Sequence, residues 1–488
     1  METEYGELRI GINALYGEEL LVETTADTSE RGGAERVLSV EAEAKATGVE
    51  LLDKEAEVSG KVNYRLLYLD KQRRLCGLDY FKDFKCRVAG DEITPTGKSA
   101  VTFSVPDAGA RVEGDKVELS AFLEVSLRYF GESEMQKVTA IEGAECRKRE
   151  FLSQQAKRIE RTIELEKVAD VGSEVKKILL FDTALTITDI ARKEDGSEVS
   201  GAVRADILYL NEADETVELT AELPFSEVFE DAPLAEYSAA IKSSRIVLTD
   251  DEGGNAIEIE AAVTIGEISY EESVEEVTVA ACGEKNAVEE IFAKAKGRRF
   301  FAQETFAESL TGGIPLPVEN VYHVIARPGC RAIADVAVTD GSVRVEGVSA
   351  FRLLYLTEEG YASAQGELPF AFALPLKVAR EGLKAEATLG ITEPKASYNG
   401  KEWVVTAKAD LSISLFEEEE VSYLADAKEG DPIPESEAGV SVYFAEKGED
   451  VWQIAKTMGV LPSDLVKANP FLAEPLTENR KILVFYRK

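Results

Sequence analysis

The sequence predicts a mainly β chain: three tandem β-sandwich-like modules followed by a small α+β module of β-α-α-β order. Three observations predict it. First, one segment occurs three times: Val58-Ser59-Gly60 running to Leu67-Tyr68-Leu69, then Val199-Ser200-Gly201 to Leu208-Tyr209-Leu210, then Val345-Glu346-Gly347 to Leu354-Tyr355-Leu356. The tyrosines stand 141 and then 146 residues apart. A period of about 140 residues is too long for a solenoid unit and suits an autonomous domain. Second, apolar residues within each copy alternate with period two, the mark of a strand. Third, the pattern changes completely after a proline-containing acidic stretch near residue 430.

Each element follows from its local pattern. Val62, Tyr64, Leu66 and Tyr68 share one face of the first signature strand, with Lys61, Asn63 and Arg65 on the other. The matching faces are Val203, Ala205, Ile207, Tyr209 and Ser349, Phe351, Leu353, Tyr355. The second face turns apolar only at its end (Leu67/Leu69, Leu208/Leu210, Leu354/Leu356), as in a strand entering a sandwich core. The repeated tyrosines are expected in the core with satisfied hydroxyls. The heading glycines suggest a turn or bulge.

A Pro-Phe pair follows at Pro224-Phe225 and Pro369-Phe370, with Phe84 at the equivalent place. Further alternating runs cover residues 38–44, 117–127, 184–190, 256–268 and 403–415. Helical periodicity is confined to the joints, at residues 150–168 and 287–296. The expected modules are residues 1–147, 148–286 and 287–428, with a linker over 429–438 and a final module over 439–488. Multiplied modules without catalytic residues point to binding or scaffolding.

Composition bounds the function. The 488 residues are 44% hydrophobic, enough for several cores. The formal charge is −37, from 55 basic and 92 acidic side chains. That field repels phosphate backbones and anionic membranes, so neither nucleic acid nor a membrane is an expected partner. Residues 439–488 carry 7 basic and 6 acidic side chains, a near-neutral end on an acidic body and so a candidate docking module. Residues 1–7 show no basic start and no apolar run, and no stretch reaches bilayer length. Five cysteines, odd in number and without CxxC spacing, read as reduced thiols, so a cytoplasmic protein is expected.

Chemistry finds little footing. His323 is the single histidine, in a run (residues 321–324) that reads as strand. One histidine leaves no multi-His metal set and no Ser/His or Cys/His arrangement. No phosphate-binding glycine loop occurs. The acidic run 417–420 reads as a solvated edge that calcium could visit weakly. No enzyme activity, cofactor or metal is expected.

In the last module, residues 441–445 alternate as a short strand and Lys447-Gly448 turns the chain. Asp450 caps a helix, with Gln453 as its capping-box partner. Val451, Ile454, Ala455 and Met458 form its apolar stripe. Pro462 opens a second helix over 463–468, Asn469-Pro470 stops it, and residues 481–486 form the second strand. Trp452 lies about 100° from Val451 around the first helix, off the edge of the stripe. A half-exposed tryptophan is a frequent interface anchor, and Val460, Leu461 and Phe471 extend the same candidate surface.

This segment resembles a LysM domain. Tyr443, Gly448, Trp452, Ile454 and Ala455 match the family's first half, with Ala445 and Asp450 at further positions of its motif, and Asp464, Leu465, Asn469 and Pro470 match its second. Departures stand at Glu449-Asp450, at Leu461-Pro462 where a polar helix cap is usual, and at Asn479-Arg480 before the last strand. These loops border the family's glycan groove. Three acidic β-modules with the Val-x-Gly…Leu-Tyr-Leu signature, followed by one LysM, are similar to the SPOCS-domain spore-coat morphogenesis proteins. The resemblance implies a mother-cell cytosolic adaptor at the forespore surface. It also implies binding of the coat ATPase, stage IV sporulation protein A, through the LysM region. The alternative from another class is a protein that binds peptidoglycan or cortex glycan through LysM, and a third is a carbohydrate-active enzyme among the β-modules.

Overall fold

The protein is mainly β. The computed structural model describes residues 2–486 except 172–173, 194–195, 231–233, 252–253, 316–320, 322, 400, 435–437 and 473–474. The first six strands are β1 (Thr3–Asp27), β2 (Ala34–Leu51), β3 (Glu55–Asp70), β4 (Leu75–Ala89), β5 (Lys98–Glu113) and β6 (Lys116–Ile141). The next six are β7 (Ala144–Asp170), β8 (Val175–Lys193), β9 (Gly196–Asn211), β10 (Thr216–Glu230), β11 (Ala235–Asp251) and β12 (Gly254–Gly283). Then come β13 (Asn286–Ile314), β14 (His323–Thr339), β15 (Ser342–Thr357), β16 (Gly360–Pro375), β17 (Leu383–Tyr398) and β18 (Trp403–Pro432). The chain ends with β19 (Val440–Ala445), α1 (Val451–Met458), α2 (Pro462–Ala468) and β20 (Arg480–Phe485).

All sheets are small and antiparallel. The first six strands make two, β1-β6-β5 and β2-β3-β4, and the same order recurs as β7-β12-β11 with β8-β9-β10, and as β13-β18-β17 with β14-β15-β16. In each group the first and last strands pair over nearly their full length, from Thr3↔Ile141 to Asp27↔Lys116 in the first. Their two sheets share one core. Val62, Tyr64, Leu66 and Tyr68 of β3 pack with Leu119, Ala121 and Leu123 of β6. Val203 to Tyr209 of β9 meet Ile257, Ile259 and Val263 of β12 in the same way. The late leucines of the signature do something else. Leu67, Leu208, Leu210 and Leu354 join Leu38, Leu179, Leu180 and Ile325 in a single cluster to which all three groups contribute. Each fully buried leucine there is worth about 1.5–3 kcal/mol over exposure, so the three groups pack as one body.

Tyr68, Tyr209 and Tyr355 lie in the core as expected. The Tyr68 hydroxyl, however, is buried without a hydrogen-bond partner among the described residues, whereas Tyr64 donates to the Val22 carbonyl at 2.7 Å. The signature glycines are in extended backbone rather than turns. Gly60, Gly201 and Gly347 stand directly across from Phe84, Phe225 and Phe370. A Cβ on them would lie 2.3–2.5 Å from the tip of that ring, so the glycine and the Pro-Phe phenylalanine are one device. The bulge sits alongside, in β2, β8 and β14, where the register slips after Ala46, Ile187 and Ile333, the residues facing the three glycines.

Two expectations need correction. Residues 150–168 and 287–296 are strand, not helix: they belong to β7 and β13, each laddered along its whole length against β12 or β18. Their charged, strong helix-forming side chains favour a helix locally, and the long partner strand overrides that preference. The linker over 429–438 is strand at its start, since β18 continues to Pro432 opposite Asn286 and the Ile433 N–H donates to Lys285 O at 2.8 Å. Residues 435–437 lie outside the described residues. The acidic run 417–420 keeps the solvated edge character expected of it, with Glu418 and Glu420 exposed. It lies in β18 where β17 has ended, so residues 418–420 ladder on one side only, with β13; Glu417 pairs with Arg380 at 2.9 Å, Glu419 with Arg149 at 2.7 Å and Glu420 with Lys294 at 2.6 Å. His323 is exposed at the start of β14, and Tyr322 beside it is outside the described residues. Among the described residues no helix is long and apolar enough to cross a membrane.

Candidate docking interface and the junction that carries it

The C-terminal unit is built from caps and ties. The Asp450 carboxylate accepts the Trp452 N–H at 2.7 Å, which caps α1. Gly459 closes that helix in the left-handed conformation (φ 65°), donating to Ala455 and Lys456 carbonyls. Val451, Ile454, Ala455 and Leu465 pack onto Ala445, Ile482 and Val484 of the two-stranded sheet β19-β20. Asn469 ties α2 to β20, with its side chain bonded to Leu483 N at 2.8 Å, Leu483 O at 2.7 Å and Leu465 O at 2.9 Å. The motif residues Gly448 (φ 93°), Ile454 and Asn469 therefore have structural roles, and Tyr443 donates to Glu449 at 3.1 Å. Pro470 is exposed.

The two loops that flank the sheet close on each other. Gly448 N donates to Leu476 O at 2.8 Å, Leu476 N to Glu449 O at 3.2 Å, and Lys447 N to the Asn479 side chain at 2.7 Å. Three backbone N–H groups of these loops are thus committed internally.

The helices also bind the chain's own body. Arg147 of β7 pairs with Asp450 at 2.6 Å, and Lys456 with Glu290 of β13 at 2.7 Å. The Cys282 thiol of β12 lies 3.5 Å from Val460 O. Glu145 of β7 accepts the Ser463 N–H at 3.0 Å and also its hydroxyl. That last pair explains Leu461-Pro462: α2 has no capping side chain of its own because a carboxylate from β7 supplies one. Of the four candidate interface residues, Trp452 and Leu461 are half-buried and Val460 is buried in the seam toward the body. Phe471 is exposed with the Arg480 guanidinium 5.3 Å over its ring.

Sequence reasoning missed the polar residues that join the three strand groups. Register places Glu41, Asp182 and Arg327 opposite Arg65, Asp206 and Arg352, the residues three before each signature tyrosine. Arg65 pairs with Glu43 and with Asp182, Arg327 with Glu41 at 3.1 Å and with Asp182 at 4.0 Å. A second cluster centres on Arg128. It donates to Asn13 at 2.9 Å, Glu236 at 2.6 Å and the Tyr270 hydroxyl at 3.2 Å, while Ser414 donates to Glu236 at 2.8 Å. Phe416 lies between the guanidiniums of Arg298 and Arg128, at 3.9 and 4.7 Å from the ring centre. These carboxylates are committed to guanidiniums and hold strand groups together. The signal that could have found them is the charge alternating in sign at equivalent positions of the repeat.

Burial alone would raise the Asp182 carboxyl. Arg65, Arg327 and the Thr183 N–H at 3.0 Å overcome that and hold it below the ordinary carboxylate value. A depressed folded-state value stabilises the fold above the unfolded value near 4 and loses that contribution as pH falls through the folded value. The Asp182→Asn chain is therefore expected to melt below wild type at neutral pH, with the gap closing under acid. Thermal midpoints from pH 7 to pH 2 check this, and a gap independent of pH would contradict it.

Comparison with protein-family models, with curated proteins and with solved structures finds no match for the chain.

Proposed function

We propose that the chain is a non-enzymatic spore-coat assembly adaptor. Three tandem SPOCS-like β-sandwich modules (residues 1–147, 148–286 and 287–428) form its scaffold, and a LysM-like module (439–488) joined through 429–438 docks on the coat ATPase, stage IV sporulation protein A. Its place is the mother-cell cytosol at the forespore surface, where it helps the coat encase the spore. The observation that carries the reading is the β19-α1-α2-β20 order, with Asp450, Gly448 and Asn469 in the capping, turning and tying positions of the LysM pattern. The mutual closure of the two loops beside the sheet favours a protein partner over peptidoglycan.

The test is capture of purified coat ATPase by the full chain and by a chain lacking residues 439–488. Capture by the full chain and its loss on truncation are expected. Equal capture by both overturns the assigned interface. Sedimentation with purified sacculi, abolished by the truncation, would establish the glycan reading in its place.

A further inference from the structure

The outer face of the β19-β20 sheet has the wrong polarity for solvent. Cross-strand register pairs Val440 with Phe485, Val442 with Leu483 and Phe444 with Lys481. The other face, with Tyr443, Ala445, Ile482 and Val484, turns inward to the helices. A solvated sheet face is normally polar. Here five of the six outward positions are apolar and are between 43% and 70% exposed. Together they leave on the order of 400 Å² of contiguous apolar surface, a size commonly functional on a soluble protein.

We propose that this face receives an amphipathic helix of a partner protein, with an apolar stripe and a carboxylate set against Lys481. This deepens the docking role given to the C-terminal unit and rests on it. The helix side of the unit is already held against the body through Asp450, Lys456, Val460 and Ser463. The outer sheet face lies on the opposite side of the layer. Two strands about 5 Å apart and six residues long present a strip matching a helix of about 13 residues, roughly 10 Å wide and 20 Å long. Laid there, the helix completes a helix-sheet-helix stack. Charge selects the kind of helix: among the six outward positions of the paired strands Lys481 is the single charged side chain, its ammonium 5.4 Å over the Phe444 ring. A second copy is disfavoured, because each chain carries −37.

The test compares binding of purified coat ATPase by the full chain, by Trp452→Ala and by Val442→Thr with Leu483→Thr. Threonine keeps the strand propensity and removes the apolar face; unchanged thermal midpoints establish that the variants fold. The double variant is expected to bind at least tenfold more weakly, with Trp452→Ala close to wild type. Loss with Trp452→Ala while the double variant binds normally overturns the assigned face and keeps the docking role. If wild type does not bind the ATPase, the docking role fails, and the face is tested by itself with a synthetic amphipathic Leu/Glu helix. Binding of that peptide by wild type and tenfold weaker binding by the double variant support the proposal, and equal or absent binding overturns it.

Discussion

Replacing Arg128 with alanine is expected to cost about 3–5 kcal/mol, because it strands a buried carboxylate. Glu236 is almost fully buried; without Arg128 it retains, among the described residues, the Tyr270 and Ser414 hydroxyls. Arg128 comes from β6, Glu236 from β11 and Ser414 from β18, so the loss falls on the joint between the three strand groups. Arg128→Met combined with Glu236→Leu removes both charges and is expected to recover most of the loss. Arg9→Ala, which breaks exposed pairs with Glu7 and Glu134, is expected to unfold at the wild-type midpoint. Thermal and urea unfolding midpoints check all three. A double variant as unstable as Arg128→Ala would show that the loss is not one of uncompensated charge.

The Gly201→Ala chain is expected to lose about 1–3 kcal/mol through overpacking. Its Cβ would sit 2.3 Å from the Thr186 carbonyl oxygen and 2.5 Å from the Phe225 ring. The ring can yield but the carbonyl belongs to the neighbouring strand, so Phe225→Leu is expected to restore only part of the loss. Gly48→Ala is the control: a Cβ there meets nothing within 4 Å, and the change is expected to be neutral or mildly stabilising. Urea midpoints of the three chains measure the difference. Equal midpoints for Gly201→Ala and Gly48→Ala would mean that β8 moves aside freely.

Much of the fold was legible because it is written in local periodicity. The alternation around Tyr68, Tyr209 and Tyr355 identified a core strand, and the caps at Asp450 and Pro462 located both helices to within a residue. What failed was where a distant partner decides. Residues 150–168 look helical until β12 is present, and nothing near Leu461 announces that Glu145, 318 residues before Ser463, will cap α2. Glycine was legible as special but not why, since Gly60 and Phe84 meet only through strand register. The candidate interface shows the same limit. Trp452 stood out by residue type, whereas Val442 and Phe444 stood only as members of a short alternating strand, with nothing to say which face is covered. Only the tertiary arrangement turns their face outward.

The pairing of first with last strand in each group also orders the birth of the protein. While the chain emerges from the ribosome, β2, β3 and β4 can zip as hairpins, but β1 has no partner until β6 is made about a hundred residues later. That closure bears the larger entropy of a long loop, and it leaves a lengthy unpaired edge waiting. Each group is therefore sealed last along its longest strands, the stage at which a nascent chain is most open to pairing with the wrong neighbour.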